Sequence, residues 1–282
     1  MGKIILNGNQ ILANILRKEY ITYEYGSLTE GVFFSAFRDN SKLIITEDFK
    51  IIIEGYISKF TFEIYKILER NDFSAYGSDE VGTGDVFGPV VVVSVYIERE
   101  NIIKLKKFNI RDSKTYTTNN SLLTAYNSLI NLVQFESYIL MPREYNKLYE
   151  KVLNLNAIKA LMHNEVNVKL MKKIGLHMPV IIDQFTSEDS YYSYLSEETT
   201  VLKDIYFSPR AESIHLSVAC ASIIARKLFL DSIKTLSNEI GITLPLGASY
   251  IVDDVLRKIY SSNKNILPLC SKMHFSNVKR IN

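Results

Sequence analysis

The sequence predicts a mixed α/β protein in which a small α+β module precedes a larger domain built on a helix-covered sheet. Within 1–70, two helical segments flank three short strand-like segments. From residue 71 onward, strand-like and helical segments alternate over about two hundred residues, which is typical of a mixed sheet flanked by helices. We therefore predict two domains, at 1–70 and 71–282.

Periodicity supports each element of the first module. Apolar residues recur at helical spacing in QILANILRKEY and ISKFTFEIYKILER, while GVFFSAF, KLIITED and KIIIEGY resemble strands joined by turn residues. Acidic and basic side chains are balanced here, so a nucleic-acid contact must use one face of the sheet. The candidates, most of which also alternate as core residues would, are Phe33, Phe34, Phe37, Arg38 and Lys42.

The elements of the larger domain follow in the same way. FSAYGSDE and PVVVVSVYI resemble two strands around a turn, the second apolar on both faces as in a central strand. A helix through NNSLLTAYNSLINLV, a strand at FESYILMP and an amphipathic helix at 154–175 come next. MPVIIDQF is a short buried strand that ends in Asp183. The apolar helix SIHLSVACASIIARKLFLDSI carries small residues that let it lie close to a sheet: Ala219, Ala221 and Ser222.

Composition excludes several classes of protein. A chain of 282 residues that is 47% hydrophobic buries a substantial core, which argues against disorder. The net charge is only +2, so the chain produces no strong general field for polyanions. Any nucleic-acid surface must therefore be local.

Two cysteines, Cys220 and Cys270, lack metal-type spacing and fit reduced, buried thiols. No apolar run reaches the length of a membrane span, and the first residues show no signal-peptide pattern. These observations predict a cytoplasmic protein without a membrane contact, and no obligate protein partner is predicted.

The stretch YGSDEVGTGDVFGPVVVV places Asp79 beside Glu80. Adjacent residues on a regular strand point to opposite faces, so the two carboxylates meet only if the strand ends or twists there. We expect Gly82, Gly84 and Gly88 to provide this break through backbone angles that side chains forbid. An exposed acidic pair that opens a hairpin turn is the alternative.

Asp183 adds a third carboxylate at the end of a buried strand, where ligands of open α/β sheets collect. Three converging carboxylates repel one another unless a cation lies between them. Hard ions such as Mg²⁺ or Mn²⁺ prefer oxygen ligands, and a pair about 3.5–4 Å apart clamps the two oxygens exchanged in phosphodiester hydrolysis. The four histidines, at 163, 177, 215 and 274, show no zinc spacing.

Five blocks in order, GSDEVGTGDVFGPVVV, RDSK, NLNAIKALMHN, IIDQF and AESIHLSVACASIIAR, resemble bacterial ribonuclease HIII of the type 2 ribonuclease H superfamily. The resemblance implies a ribonuclease H-like fold and an N-terminal domain similar to the TATA-binding-protein module, which grips substrate. It also implies hydrolysis of the RNA strand of RNA–DNA hybrids by two divalent ions, Mg²⁺ or Mn²⁺, leaving 5′-phosphate and 3′-hydroxyl ends.

By this resemblance, the catalytic metal ligands are Asp79 and Glu80 in SDEVG, Asp183 in IIDQF and Glu212 in AES. Related enzymes often have Asp at the last position, and Glu is one methylene longer. A solvated Glu near a helix start is the alternative for Glu212, with Asp189 and Asp231 as competing ligands.

Substrate contacts are expected at the turn Gly82, Thr83 and Gly84, where bare backbone can approach a ribose 2′-OH. The sister family, ribonuclease HII, typically has arginine at the middle position, so Thr83 favours the HIII branch. Lys114 in RDSK is expected to face a phosphate, and Asn164 and Ser222 are further candidates. Two other functions remain open: a DNA-directed nuclease or resolvase with the same acidic cluster, and a non-catalytic hybrid-binding module.

Overall fold

The computed structural model describes residues 2–26, 30–55, 59–67, 73–108, 110, 113, 116 and 118–281. The strands are β1 (Gly2–Asn7), β2 (Val32–Arg38), β3 (Ser41–Thr46), β4 (Lys50–Gly55), β5 (Ala75–Val81), β6 (Val90–Ile97), β7 (Gln134–Leu140), β8 (Val180–Asp183) and β9 (Ile205–Ser208). The helices are α1 (Gln10–Tyr20), α2 (Lys59–Ile67), α3 (Arg99–Lys106), α4 (Asn119–Leu129), α5 (Pro142–Val152), α6 (Leu155–Ile174), α7 (Glu188–Tyr194), α8 (Leu216–Ile240), α9 (Tyr250–Asn263), α10 (Leu267–Cys270) and α11 (Ser276–Lys279). Across the described residues, no helix is both long enough and apolar enough to cross a membrane.

The N-terminal module is an antiparallel sheet in the order β1-β4-β3-β2 with two helices on one face. Helix α1 starts where the Asn9 side chain accepts a hydrogen bond from the Leu12 backbone N–H. Inward-facing residues such as Phe34 and Leu43 pack with Leu16 of α1. The predicted helices and three strands are confirmed, but β1 is an additional edge strand that the sequence reading did not include.

The larger domain contains a mixed sheet in the order β7-β6-β5-β8-β9, in which β8 and β9 run parallel to β5. Every residue of β6 is buried because helices cover both faces of the sheet. Alternate valines of β6 serve different cores: Val91 and Val93 pack with Ala221 of α8, and Val90 and Val92 pack beneath α6. The prediction of a strand that is apolar on both faces is confirmed.

Helix α8 lies unusually close to β5, which brings its side chains to the end of that strand. A Cβ built on Gly77 would stand 2.5 Å from the Val218 backbone nitrogen, so only glycine permits this approach. The small side chains of Ala219 and Ala221 are fully buried, as the sequence predicted for this helix.

Helix α2 packs the N-terminal module against the larger domain. The Phe62 ring centroid lies 4.0 Å from that of Tyr206 and 5.6 Å from that of Phe73. Lys59 Nζ is 2.5 Å from a carboxylate oxygen of Glu188 at the rim of this contact. One hydrophobic cluster thus crosses between the modules. The predicted boundary at residues 70 and 71 lies outside the described residues.

Candidate active site

Two of the predicted acids lie where the parallel pairing of two neighbouring strands ends. Strand β5 pairs with β8 up to Ser78 opposite Ile182. Asp79 and Asp183 are the next residues along each strand, and the charge of Asp183 acts on Asp79. The fold therefore brings together residues that are about a hundred positions apart, at the sheet edge where α/β proteins bind ligands.

Asp79 is held from the side of α8. One of its oxygens, Oδ1, accepts a hydrogen bond of 2.7 Å from the Glu80 backbone N–H. Its side chain is also hydrogen-bonded to Ser222, whose Oγ is 2.8 Å from the Ser113 Oγ. Burial, followed by the negative charge of Glu80, raises the pKa of Asp79 above its ordinary value. The Asp79 carboxylate is therefore stabilised when it binds a cation or a proton.

Glu80 faces the opposite side of the sheet, toward α6. Its Oε1 lies 3.1 Å from Lys159 Nζ, and its Oε2 lies 3.0 Å from His163 Nε2. Burial alone would raise the pKa of Glu80, but the hydrogen bond to His163 and the Lys159 ammonium lower it below the ordinary value. Glu80 is therefore stabilised as a carboxylate inside the protein.

The strand was expected to break at the two adjacent acids, but it continues through both of them. Asp79 and Glu80 both belong to β5 and follow its alternation, so their side chains reach α8 and α6 respectively. The chain turns only after them, at Gly82, whose φ of +93° and 2.2 Å from a built Cβ to the Pro89 oxygen require glycine.

Gly84 corrects another part of that expectation. Gly88 has a positive φ of +82°, but Gly84 lies outside the left-handed region. Gly84 is exposed, Thr83 beside it is half-buried, and no atom lies within 4 Å of a Cβ built on Gly84. The Gly84 backbone is therefore accessible to a ligand because it is exposed, and not because it adopts backbone angles that side chains forbid.

The turn that follows β5 is fastened by residues near the C-terminus. Lys272, which is fully buried, donates from Nζ to the Asp85 backbone oxygen at 2.7 Å. The Gly247 backbone N–H donates to Asp85 Oδ1 at 2.6 Å, and the Gly88 N–H donates to the Cys270 oxygen at 2.9 Å. Burial lowers the pKa of Lys272 to about 7. No local sequence pattern connects this distant segment with the turn.

Glu212 follows directly in the chain after a residue that contacts Asp183, whereas its two competitors are exposed on helices. It is half-buried in a 3-10 turn, Ala211–Ser213, and the Ala211 backbone N–H donates to Asp183 Oδ1 at 3.0 Å. Asp189 is exposed in the first turn of α7. Asp231 is exposed on α8 and pairs with Lys227 at 2.5 Å. Of these three acids, Glu212 is the one whose neighbour in the chain touches Asp183.

The carboxylates do not yet surround a single point. Within the described part of the chain, no three His, Cys, Asp or Glu side chains are grouped so as to hold a metal ion. In this arrangement Glu80 contacts Lys159 and His163, and Asp183 accepts a hydrogen bond from the Ala211 backbone. A Mg²⁺ ion usually takes one or two carboxylates and completes its shell with waters and substrate phosphate. Lys114 lies outside the described residues.

Sequence reasoning missed the two residues that contact Glu80. Lys159 and His163 are four positions apart on α6, and Asn167 continues the spacing, so the three share one face of the helix. A polar stripe on a buried helix face was the available signal. Asn164, the candidate that the sequence suggests on this helix, bonds to the Thr200 oxygen and the Leu202 N–H instead of to the acids.

Comparison with known proteins agrees with this arrangement. The family model for Ribonuclease HII matches residues 76–278. The chain belongs to the ribonuclease HII family. Ribonuclease HIII of Phytoplasma mali (strain AT) is 42% identical over 252 residues, covering 89% of this chain and 87% of that protein. Ribonuclease HIII of Geobacillus sp. (strain WCH70) is 34% identical over 297 residues, covering 99% and 98%.

The comparison with solved structures also shows similarity to ribonuclease HIII. The crystal structure of Bst-RNase HIII in complex with Mn²⁺ has a TM-score of 0.73 and 31% identity, and the match covers 99% of this chain and 98% of that one. The predicted resemblance to ribonuclease HIII and the predicted fold class are confirmed. This ribonuclease is accordingly a hydrolase of the ribonuclease H type.

Proposed function

We propose that this ribonuclease hydrolyses the RNA strand of RNA–DNA hybrids with two Mg²⁺ or Mn²⁺ ions, leaving 5′-phosphate and 3′-hydroxyl ends. The supporting observation is that Asp79 and Asp183 each follow the last residue of the parallel pairing between β5 and β8, with Glu80 next in the chain. Curated relatives named ribonuclease HIII and a relative crystallised with Mn²⁺ support the same chemistry.

The residues fit hard divalent ions because every candidate donor is a carboxylate oxygen. Asp79, Glu80, Asp183 and Glu212 would hold the ions. When bound, such ions activate a water and neutralise charge on the departing 3′ oxygen. Asp79 is influenced by the charges of both Glu80 and Asp183, which makes it the best-placed ligand to be shared. Its raised pKa reflects burial first and the negative charge of Glu80 second, and a divalent cation would offset both effects.

The open turn after β5 supports a substrate with a 2′-hydroxyl group. Gly84 is exposed and has free space around its Cα, while Gly82 and the contacts to Asp85 fix the backbone that presents it. We propose that the backbone of this turn, with Thr83, contacts the ribose, and that Lys114 contacts a phosphate.

The N-terminal module, which we propose ends near residue 70, offers its outer sheet face to the duplex. Phe37 is 45% exposed, its ring lies 5.5 Å from that of Tyr25, and Lys42 Nζ lies 5.8 Å from the Tyr25 ring. Phe34, by contrast, is fully buried core, and Arg38 pairs with Glu63 of α2 at 2.8 Å. We therefore assign the grip to Tyr25, Phe37 and Lys42.

We also propose a cytoplasmic location. Cys220 and Cys270 are free, buried thiols, and burial raises the pKa of each. Such thiols are inert packing groups that need no oxidising compartment.

The test is cleavage of four matched end-labelled substrates: a hybrid, an RNA duplex, a DNA duplex and a DNA duplex with one ribonucleotide. We expect the hybrid to be cut, the DNA duplex to remain intact and the single ribonucleotide to be cut weakly. Asp183→Asn should reduce hydrolysis by more than about 100-fold. Asp231→Asn, which removes an exposed acid that pairs with Lys227 on its own helix, is the matched control and should retain activity.

Two results would contradict the proposal separately. Equal cleavage of the DNA duplex and the hybrid would refute the role of the 2′-hydroxyl group and favour a DNA-directed nuclease. Cleavage that persists in EDTA would refute the metal ions, since we expect EDTA to abolish activity and added Mg²⁺ or Mn²⁺ to restore it.

A further inference from the structure

A chain of buried polar side chains connects the interior of the sheet to Glu80. Helix α6 carries Lys159, His163 and Asn167 on the face that covers β5 and β6, and they are 8%, 0% and 1% exposed. Ser78 of β5 and Ser94 of β6 are fully buried opposite them. Polar groups at such positions cost free energy unless they are hydrogen-bonded, so their partners are informative.

The Asn167 amide sets the direction of this chain. Its Nδ2 lies 2.8 Å from the His163 backbone oxygen, which can only accept. The amide orientation is therefore fixed, and Oδ1 must face Ser94, whose hydroxyl donates to it at 2.7 Å. The second Nδ2 hydrogen is directed to the Ser78 Oγ at 3.0 Å.

The contacts of His163 fit a neutral ring with its proton on Nε2, because the Glu80 carboxylate beside Nε2 can only accept a hydrogen bond. Because Ser78 Oγ accepts from Asn167, its own hydrogen is available for His163 Nδ1, 2.8 Å away. With Nδ1 as the acceptor, the neutral ring carries its proton on Nε2, which donates to Glu80 Oε2 at 3.0 Å. Every hydrogen bond from Ser94 to Glu80 thus runs in one direction.

We infer that the chain Ser94, Asn167, Ser78 and His163 positions the Glu80 carboxylate to receive a divalent cation. The inference rests on the metal site proposed above. With Nε2 of His163 on Oε2 and Lys159 on Oε1, the carboxylate plane is fixed, yet each oxygen keeps a lone pair for a cation. Partners that orient a ligand in this way commonly account for about 10- to 100-fold in metal affinity.

The experiment compares two histidine replacements that differ only in reach. Glutamine extends its amide to about the position of Nε2, whereas asparagine reaches only about that of Nδ1. Mn²⁺ binding to the full chain, without nucleic acid, is measured by the electron paramagnetic resonance signal of free Mn²⁺. We expect His163→Gln to bind within about threefold of wild type and His163→Asn to bind about 10- to 100-fold more weakly.

Asn164→Ala is the matched control, because Asn164 is buried on the same helix but bonds to the 200–202 segment. Melting in EDTA checks that each variant folds. If His163→Asn does not fold, Ser78→Ala serves in its place, since it keeps the histidine and removes the proton donor to Nδ1; we expect at least about threefold weaker binding.

The outcomes distinguish this inference from the proposed function. Wild type that binds no Mn²⁺ would overturn the metal site and the positioning role together. Wild type that binds Mn²⁺, with His163→Asn or its substitute binding equally well, would overturn the positioning role alone. Weakening by Asn164→Ala of the same size would also overturn it, because general damage to α6 would then explain the loss.

Discussion

Replacing Gly82 by alanine should destabilise the folded protein without touching a carboxylate. The φ of +93° is a conformation that costs a side-chain-bearing residue about 1–2 kcal/mol. The new Cβ would stand 2.2 Å from the Pro89 backbone oxygen and 2.9 Å from Phe229 Cε2. A backbone oxygen cannot move aside by changing a rotamer, so overpacking adds about 1–3 kcal/mol. The expected loss in the free energy of unfolding is therefore about 2–5 kcal/mol.

Gly84→Ala provides the comparison, because a Cβ there meets no atom within 4 Å and the backbone is not left-handed. Urea unfolding of both variants at 25 °C, without metal, measures the difference. We expect a lower midpoint for Gly82→Ala and a change below about 0.5 kcal/mol for Gly84→Ala, which should instead raise the KM for hybrid. A wild-type midpoint for Gly82→Ala, or equal losses in both variants, would refute the geometric reasoning.

Three further predictions concern other parts of the molecule. In the unfolded chain Lys272 keeps its proton up to its ordinary pKa, whereas in the folded chain burial lowers that pKa to about 7. From pH 7 to 10, the free energy of unfolding of wild type should therefore rise relative to that of Lys272→Met by up to about 1.4 kcal/mol per pH unit. Parallel pH profiles of the two proteins would show that the buried amine stays charged. Asp79→Asn should lose hydrolysis yet melt at a higher temperature than wild type in EDTA at pH 8, because it removes a carboxylate that burial and the charge of Glu80 destabilise; a lower melting temperature would argue against that destabilisation. Phe37→Ala should raise the KM for hybrid and leave the free energy of unfolding nearly unchanged, whereas Phe34→Ala in the buried face should lower that free energy by about 3–5 kcal/mol. Urea unfolding and initial rates of cleavage measure the two effects. A similar loss of stability in both variants would place Phe37 in the core.

The predicted elements that proved correct depend on local signals. Helix α6 begins where the Asn154 side chain accepts from the Asn156 and Ala157 N–H groups, and it ends at Gly175 with a φ of +73°. Both signals lie in the adjacent sequence, as does the apolar run of β6. Membership in the family followed from motifs that are also contiguous.

The features that were missed depend on contacts between distant positions. Lys272 meets Asp85 across 187 positions, and no local pattern indicates such a pairing. Asp79 contacts α8 and Glu80 contacts α6 because these helices lie on opposite sides of β5, and the local sequence does not indicate that placement. Strand β1 is a short apolar run, which periodicity alone cannot distinguish from a buried piece of helix.

The contact made by Phe62 has a practical consequence for dissecting this enzyme. Its ring packs on Phe73 and Tyr206, so a chain shortened to begin after residue 72 would expose both aromatic surfaces to water. Such a truncated chain would tend to aggregate, so weak activity would not show whether the N-terminal module binds nucleic acid. Single replacements of Tyr25 or Lys42 keep the Phe62 contact intact and therefore test nucleic-acid binding by the N-terminal module directly.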